Sequence, residues 1–256
     1  MEELIPGNIH RLFMIMHHKE IGLVVDTAKL LLNSMPKRAR LVVNGISEEY
    51  QDSVGELMEA LEQKERKCIV LFPTDDAKPF LELYQENENE NERKNNADTD
   101  THIPEGDRSR KSNNDGDYDV IVMDGTWQQA RKIHQRYIPL EKDGGPQRVC
   151  LSQESLDILG DAATNPTESH VVHGVEKGGN GRQLRRHPIK WKEVSTLEAT
   201  RLLFRDMMVA MDEIGAEEYM NEDGKQCHEL LTEYQRISDE AAVRQLGPPR
   251  ERMNKK

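Results

Sequence analysis

The chain has only three cysteines, Cys68, Cys150 and Cys227, and they are scattered. No CxxC pair occurs and no Cys/His set has zinc spacing, so neither a disulfide framework nor a structural zinc is expected. Unpaired thiols of this kind suit the reducing cytoplasm or nucleus, with two of the three expected in a core. Aromatic residues make up 5% of the chain and include two tryptophans, Trp127 and Trp191. No apolar run approaches the roughly 20 residues needed to span a bilayer, so no membrane partner is expected. The stretch from Met1 to Phe13 has no basic region followed by an apolar one, so no secretory signal is read there. A Walker phosphate loop and a GxGxxG dinucleotide loop are both absent. His17-His18-Lys19-Glu20 is the one cluster with metal-ligand character, and it reads as a structural histidine pair, so no metal is expected.

What the chain does have is charge, at 32% of its 256 residues, with a net of −12 and a mean hydropathy of −0.80. Such polarity predicts a globular core smaller than the chain. The sign of the charge argues against a nucleic-acid partner, but its distribution does not. Residues 85–100 and 212–256 each carry a net of −4, whereas 125–192 hold eleven bases against seven acids, a net of +4. The acid sits in expected appendages and the middle of the chain is basic, which favours a polyanionic ligand.

Apolar runs and helical periodicities alternate from about residue 11 to 210. Strands are expected at 11–18, 41–43, 67–72, 119–123 and 149–151. Helices are expected at 23–32, 47–64 (with Met58 and Leu61 in its buried stripe beside Leu57 and Val54), 76–84, 126–137 and 195–211. Ser195 and Glu198 fit the capping box S/T-x-x-E. This alternation predicts a mostly parallel sheet with helices on both faces. Residues 85–117 carry almost no apolar side chain and read as a disordered acidic insertion. The domain is thus 10–212, and 213–256 forms an acidic helical or flexible tail.

Three stretches have chemical character. Val120-Ile-Val-Met-Asp124 ends a buried strand in an acid, followed by Gly125, Thr126 and Trp127 and then a helical pattern. At the carboxyl end of a strand in an α/β sheet, Asp124 is open to three readings: a base, a ligand acceptor, or the cap of the next helix, a role equally open to Thr126. Trp127 reads either as core or as a flat wall for an aromatic ligand. Leu71-Phe72-Pro73 followed by Thr74-Asp75 ends another strand and belongs on the same sheet edge. Arg182, Arg185, Arg186, His187, Lys190 and Lys192 surround Trp191. That pattern suits phosphate contacts and base stacking, or else a solvated basic loop.

Together these stretches resemble the DTW-domain family. Asp124-Gly-Thr-Trp127 followed by Ala130-Arg131 is similar to its signature. Met14 to Glu20 resembles its early strand ending in His-Pro-x-Glu, with His18 where proline is usual. Asp26-Thr-Ala-Lys-Leu30, Leu71-Phe-Pro73 with Ala77, and Leu184-Arg185 with Ser195-Thr-Leu-Glu-Ala199 resemble three further family segments, and all five occur in family order. Many relatives also carry a cysteine cluster N-terminal to these segments, and this sequence begins after that position.

The resemblance implies a SPOUT-like α/β fold with a C-terminal trefoil knot, a rare exception to ordinary connection rules. It implies a tRNA-uridine aminocarboxypropyltransferase, with S-adenosylmethionine as co-substrate and tRNA as partner; no obligate protein partner is expected. In that reading Asp124 is catalytic, acting on the uridine imide proton. Leu71, Phe72, Pro73, Gly125, Thr126, Trp127, Arg185, Ser195, Thr196 and Glu198 hold the co-substrate, and Arg131, Arg186 and Lys190 contact RNA. Arg185 has two readings, the co-substrate carboxylate or a tRNA phosphate, and Glu198 is either an ammonium partner or only a cap. The alternatives are a SPOUT-like RNA methyltransferase and a non-catalytic RNA-binding relative.

Overall fold

The computed structural model describes residues 9–21, 27–47, 51–63, 66–97, 118–164, 195–213 and 226–237. Within them lie six strands: β1 (Ile9–His17), β2 (Ala39–Asn44), β3 (Lys67–Leu71), β4 (Lys78–Pro79), β5 (Tyr118–Asp124) and β6 (Gln147–Cys150). The helices are α1 (Thr27–Ser34), α2 (Asp52–Glu62), α3 (Phe80–Ala97), α4 (Trp127–Tyr137), α5 (Gln153–Thr164) and α6 (Thr196–Glu213), followed by α7 over 226–237. The strands form one sheet in the order β2-β1-β5-β3-β6-β4, and every pairing is parallel. The expected α/β class with a parallel sheet is therefore what the chain adopts. The knot implied by the resemblance is not seen in the described residues, and the α5–α6 connection, 165–194, lies outside them.

The central strands are apolar in both phases of their two-residue repeat, which lets helices cover both faces. Leu12, Met14 and Met16 of β1, with Val120 and Val122 of β5, pack against Ala28 and Leu31 of α1, Phe80 and Leu83 of α3, and Leu203, Phe204 and Met207 of α6. Phe13, Ile15 and Ile121 point the other way, against Val54 and Leu57 of α2 and Ala130 and Ile133 of α4. The buried stripe of α2 is Val54, Leu57 and Ala60. Met58, expected in that stripe, is exposed, because the sheet-facing arc is centred one residue earlier.

Two expected appendages are more ordered than their composition suggests. The helix expected at 76–84 begins at Phe80 and runs to Ala97, into the stretch read as a disordered insertion. Phe80, Leu83 and Tyr84 are buried and anchor its first turns, after which each added residue costs little because nucleation is complete. Residues 98–117 lie outside the described residues. The expected tail, 213–256, contains α7, where Cys227, Leu231 and Gln235 recur every four residues and are buried. Cys227 and Leu231 join the core cluster of α1, α3 and α6, so this part of the chain is packed rather than appended. Burial pushes the Cys227 thiol up to about 12. Cys68 is part-buried, and burial followed by neighbouring Asp119 pushes its thiol to about 12 as well; both thiols are therefore protonated and poorly nucleophilic at neutral pH. Cys227 lies in one core cluster and Cys68 packs against the other, so two of the three thiols are in or against the core, as expected.

Arg11 of β1 lies directly opposite Asp119 of β5. Its Nε and Nη2 donate to the two carboxylate oxygens at 3.0 and 2.8 Å, and Asp119 is wholly buried. The Asp119 hydrogen bonds raise the Arg11 pKa further above its already high value. Asp119→Leu should leave a buried guanidinium without its partner and lower the unfolding free energy by about 3–5 kcal/mol, read by denaturant titration. The double variant Arg11→Met/Asp119→Leu should recover most of that loss. A loss within about 0.5 kcal/mol for the single variant, as at an ordinary surface position, would show that the pair does not hold β1 to β5.

Candidate functional site

The chain leaves β1 toward β2 on one side and places β3 and β4 on the other; β5 then fills the seam between β1 and β3, and β6 enters between β3 and β4. In open α/β sheets the crevice beyond the strand carboxyl ends at such a reversal is where ligands bind. Asp124 ends β5 there, opposite Met16 of β1. Gly125 follows with φ +148°, a conformation that residues with a side chain rarely adopt, and a Cβ on it would approach Gln129 Oε1 to 3.1 Å and Gln129 Cβ to 3.2 Å.

Thr126, not Asp124, caps α4. Its Oγ1 accepts from the Gln129 N–H at 3.4 Å, and Gln129 Oε1 accepts from the Thr126 N–H at 2.6 Å, a complete capping box. The same glutamine places its Nε2 3.2 Å from His17 Nδ1 at the end of β1. The Lys19 N–H also donates to that nitrogen, at 3.3 Å. With two donors on Nδ1, the ring proton belongs on Nε2. Burial, then the neighbours His18, Lys19 and Lys132, lower the His17 pKa, with Glu20 opposing.

Trp127 and His134 stand seven residues apart on α4, about two turns, and Phe72 from the end of β3 stacks on both. The ring centroids lie 5.2 Å apart to Trp127 and 4.4 Å to His134, and both pairs are near parallel. This places the phenyl ring in the gap between the two. One role of Trp127 is therefore to fix α4 against the sheet, and Arg131 lies 5.2 Å from its ring. His134 is buried, and its Nε2 has no hydrogen-bond partner among the described residues. Burial, then Arg148, lowers its pKa, while Asp76 opposes.

Asp124 instead accepts a hydrogen bond from Thr196 Oγ1 at 2.5 Å. Thr196 opens α6, where Ser195 Oγ accepts from the Glu198 N–H at 3.2 Å, so Ser195 is the cap that the S-x-x-E spacing predicts. Beside this contact lies a cavity of about 590 Å³. Of the residues expected to hold the co-substrate, Leu71, Phe72, Pro73, Gly125, Thr126, Trp127 and Thr196 line it. Asp124 sits at its edge through Thr196. Ser195 and Glu198 stand behind the wall rather than in it, Glu198 being buried. Arg131 is exposed on α4. Arg185, Arg186 and Lys190 lie outside the described residues.

Sequence reasoning put Thr74 and Asp75 on this sheet edge and Ala199 in a family segment without giving them a role, and it did not find Cys150, Leu151 and Leu156 from the β6–α5 corner or Thr200 in α6. Nor did it single out Gln129, although Thr126 with Gln129 three residues on is itself a capping-box signal. Among the described residues no group of three or more His, Cys, Asp or Glu side chains could hold a metal ion, and no helix is long and apolar enough to cross a membrane.

Residues 2–240 match the model of the DTW domain. The chain belongs to the DTW-domain family, which is associated with tRNA modification. No curated protein and no solved structure matches it.

The buried, neutral His134 makes stability depend on pH. Its folded pKa lies below the ordinary 6.5, so the unfolded chain takes up a proton first as pH falls. Stability should be fully present above about 6.5 and decline as pH drops from there toward the lowered folded pKa. His134→Phe keeps a flat ring against Phe72 and should flatten the decline, measured as the denaturant midpoint between pH 7.5 and 5. An identical decline in the variant would assign it to other groups.

Proposed function

We propose that this DTW-domain protein transfers the 3-amino-3-carboxypropyl group of S-adenosylmethionine to N3 of a tRNA uridine and releases methylthioadenosine. The observation that carries the reading is a cavity beside the Asp124–Thr196 contact, at the sheet's carboxyl edge, with a lining of two characters. Its lining combines apolar and aromatic side chains, Leu71, Val122, Leu151, Leu156, Phe72 and Trp127, with polar ones, Thr74, Asp75, Thr196 and Thr200. The volume lies in the range of small-molecule sites, about 300–1,000 Å³. An adenosine thioether with an amino-acid arm likewise combines flat apolar and charged parts. Asp75 is the carboxylate in the wall and suits the ammonium of that arm. Glu198, expected there from the sequence, is buried behind it.

S-adenosylmethionine supplies an electrophilic carbon on a positively charged sulfur, a good leaving group. The chain's residues must then line up the attack and receive one proton. Asp124 accepts the N3–H proton of uridine as the N3–C bond forms, and the electrons of the C–S bond leave with methylthioadenosine. Thr196 holds one carboxylate oxygen of Asp124 and so fixes its rotamer beside the cavity. Gly125 leaves no side chain between the acid and the cavity. Arg185, Arg186 and Lys190 add positive charge from the basic segment, for the carboxylate of the arm and for tRNA phosphates.

Incubation with bulk tRNA and S-adenosylmethionine should yield 3-amino-3-carboxypropyluridine and methylthioadenosine by mass spectrometry. Asp124→Asn should reduce that yield by at least about 100-fold, the scale of a lost proton acceptor, with unfolding unchanged within about 1 kcal/mol. S-adenosylhomocysteine with methylated RNA would instead identify a methyltransferase. A near-normal rate for Asp124→Asn would make that acid structural.

A further inference from the structure

On the side of Asp124 away from the cavity, toward β1 and β2, the strand ends meet a second surface. His17 ends β1 and Asn44 ends β2. Two polar contacts tie α4 to them: Gln129 Nε2 to His17 Nδ1 at 3.2 Å, and Arg136 Nη1 to Asn44 Oδ1 at 3.4 Å. Gln129, Lys132 and Arg136 stand at i, i+3 and i+7, one face of the helix. Lys132 therefore lies between the two contacts, and its charge is felt at His17. Lys19 stands at the same strand end and also acts on His17, as does Glu20 with opposite sign. The His18 ring is exposed and stacks on His17 at 4.4 Å between centroids, and Ile46 is exposed nearby, after the Gly45 turn. Lys19, Lys132 and Arg136 are exposed.

Gly125 separates this surface from the cavity. It lines the cavity, and a Cβ on it would lie 3.5 Å from His17 Cβ. Across a single glycine, an amphipathic cavity gives way to three cations around stacked imidazoles. Cations on a rigid helix face with flat rings between them are the combination that holds a single-stranded nucleic-acid backbone and its bases.

We infer that the surface where α4 meets the carboxyl ends of β1 and β2 is the seat of the acceptor RNA strand. Lys19, Lys132 and Arg136 take its phosphates, and the His17–His18 stack offers a face for a base beside Asp124. The inference rests on the aminocarboxypropyl-transfer reading for the identity of the acceptor. It adds the side of entry, opposite to the cavity, and three cations that carry it.

The test measures binding of bulk tRNA to the full chain over a series of salt concentrations, and binding of methylthioadenosine as a probe of the cavity. Lys132→Ala/Arg136→Ala should weaken tRNA binding on the order of tenfold, with a salt slope shallower by roughly 0.7 per lost phosphate contact. Lys132→Arg should bind like the parent, and methylthioadenosine affinity should be unchanged in both variants. A parental tRNA affinity and slope in the double variant would overturn this seat and leave the proposed transfer standing. A parent chain that binds methylthioadenosine but no tRNA would overturn the tRNA reading and the seat with it.

Discussion

The Arg11–Asp119 pair sets the geometry on which the candidate site depends. A parallel strand that is apolar on both faces carries little information about its own register, since a slip exchanges one apolar set for another. An ion pair does carry it. With Asp119 wholly buried, any register but the observed one would leave its charge in the core without a partner and Arg11 with only the exposed Glu59, 3.7 Å away, at a cost of several kcal/mol. Arg11 opposite Asp119 puts Met16 opposite Asp124. His17 then falls beside Gly125, within reach of Gln129. A charge pair near the amino ends of two strands thus positions the polar groups at their carboxyl ends.

α6 plays the corresponding part for the late portion of the chain. It is buried on nearly all sides, and its polar residues are used as ties. Asp206 accepts from Ser152 N–H, Ser152 Oγ and Ser155 Oγ at 2.8, 2.7 and 2.6 Å, which fixes the start of α5 beside the cavity. Arg205 reaches Glu154 at the same corner. Arg201 meets His228 at 3.1 Å, and Ser195 donates to Gln235 at 3.2 Å, so α7 braces the helix that presents Thr196. A segment with a strongly acidic composition therefore supports the position of Asp124 through two intermediates.

The strands and most helices were legible because their signal is local: apolar runs ended by Asn44-Gly45, Pro73 or Gly125, and caps such as Ser195. β4 was not, since Lys78-Pro79 has no pattern and is a strand only through its pairing with β6. The length of α3 and the packing of α7 were hidden by composition, where a few buried positions outweigh many charged ones. At the site, Phe72, Gly125, Thr126, Trp127 and Thr196, which the resemblance names together, lie around one cavity. The sequence could not say that Thr196 grips Asp124, because the two are 72 residues apart and the contact belongs to the fold. It left Asp124 open as a cap, and the structure removes that reading by giving the cap to Thr126.

The overall charge of −12 does not oppose a basic surface for RNA. At physiological ionic strength electrostatic interactions fade over about 8 Å, so a phosphate responds to the cations it touches rather than to acids along distant helices. Lys19, Lys132 and Arg136 converge on one strand-end corner, whereas Glu82 and Glu86 of α3 belong to the helix layer against the opposite face of the sheet from α4. A phosphate therefore gains attraction only in contact with those three side chains, and under the proposed RNA binding a strand that fits this corner is favoured over one that merely carries charge.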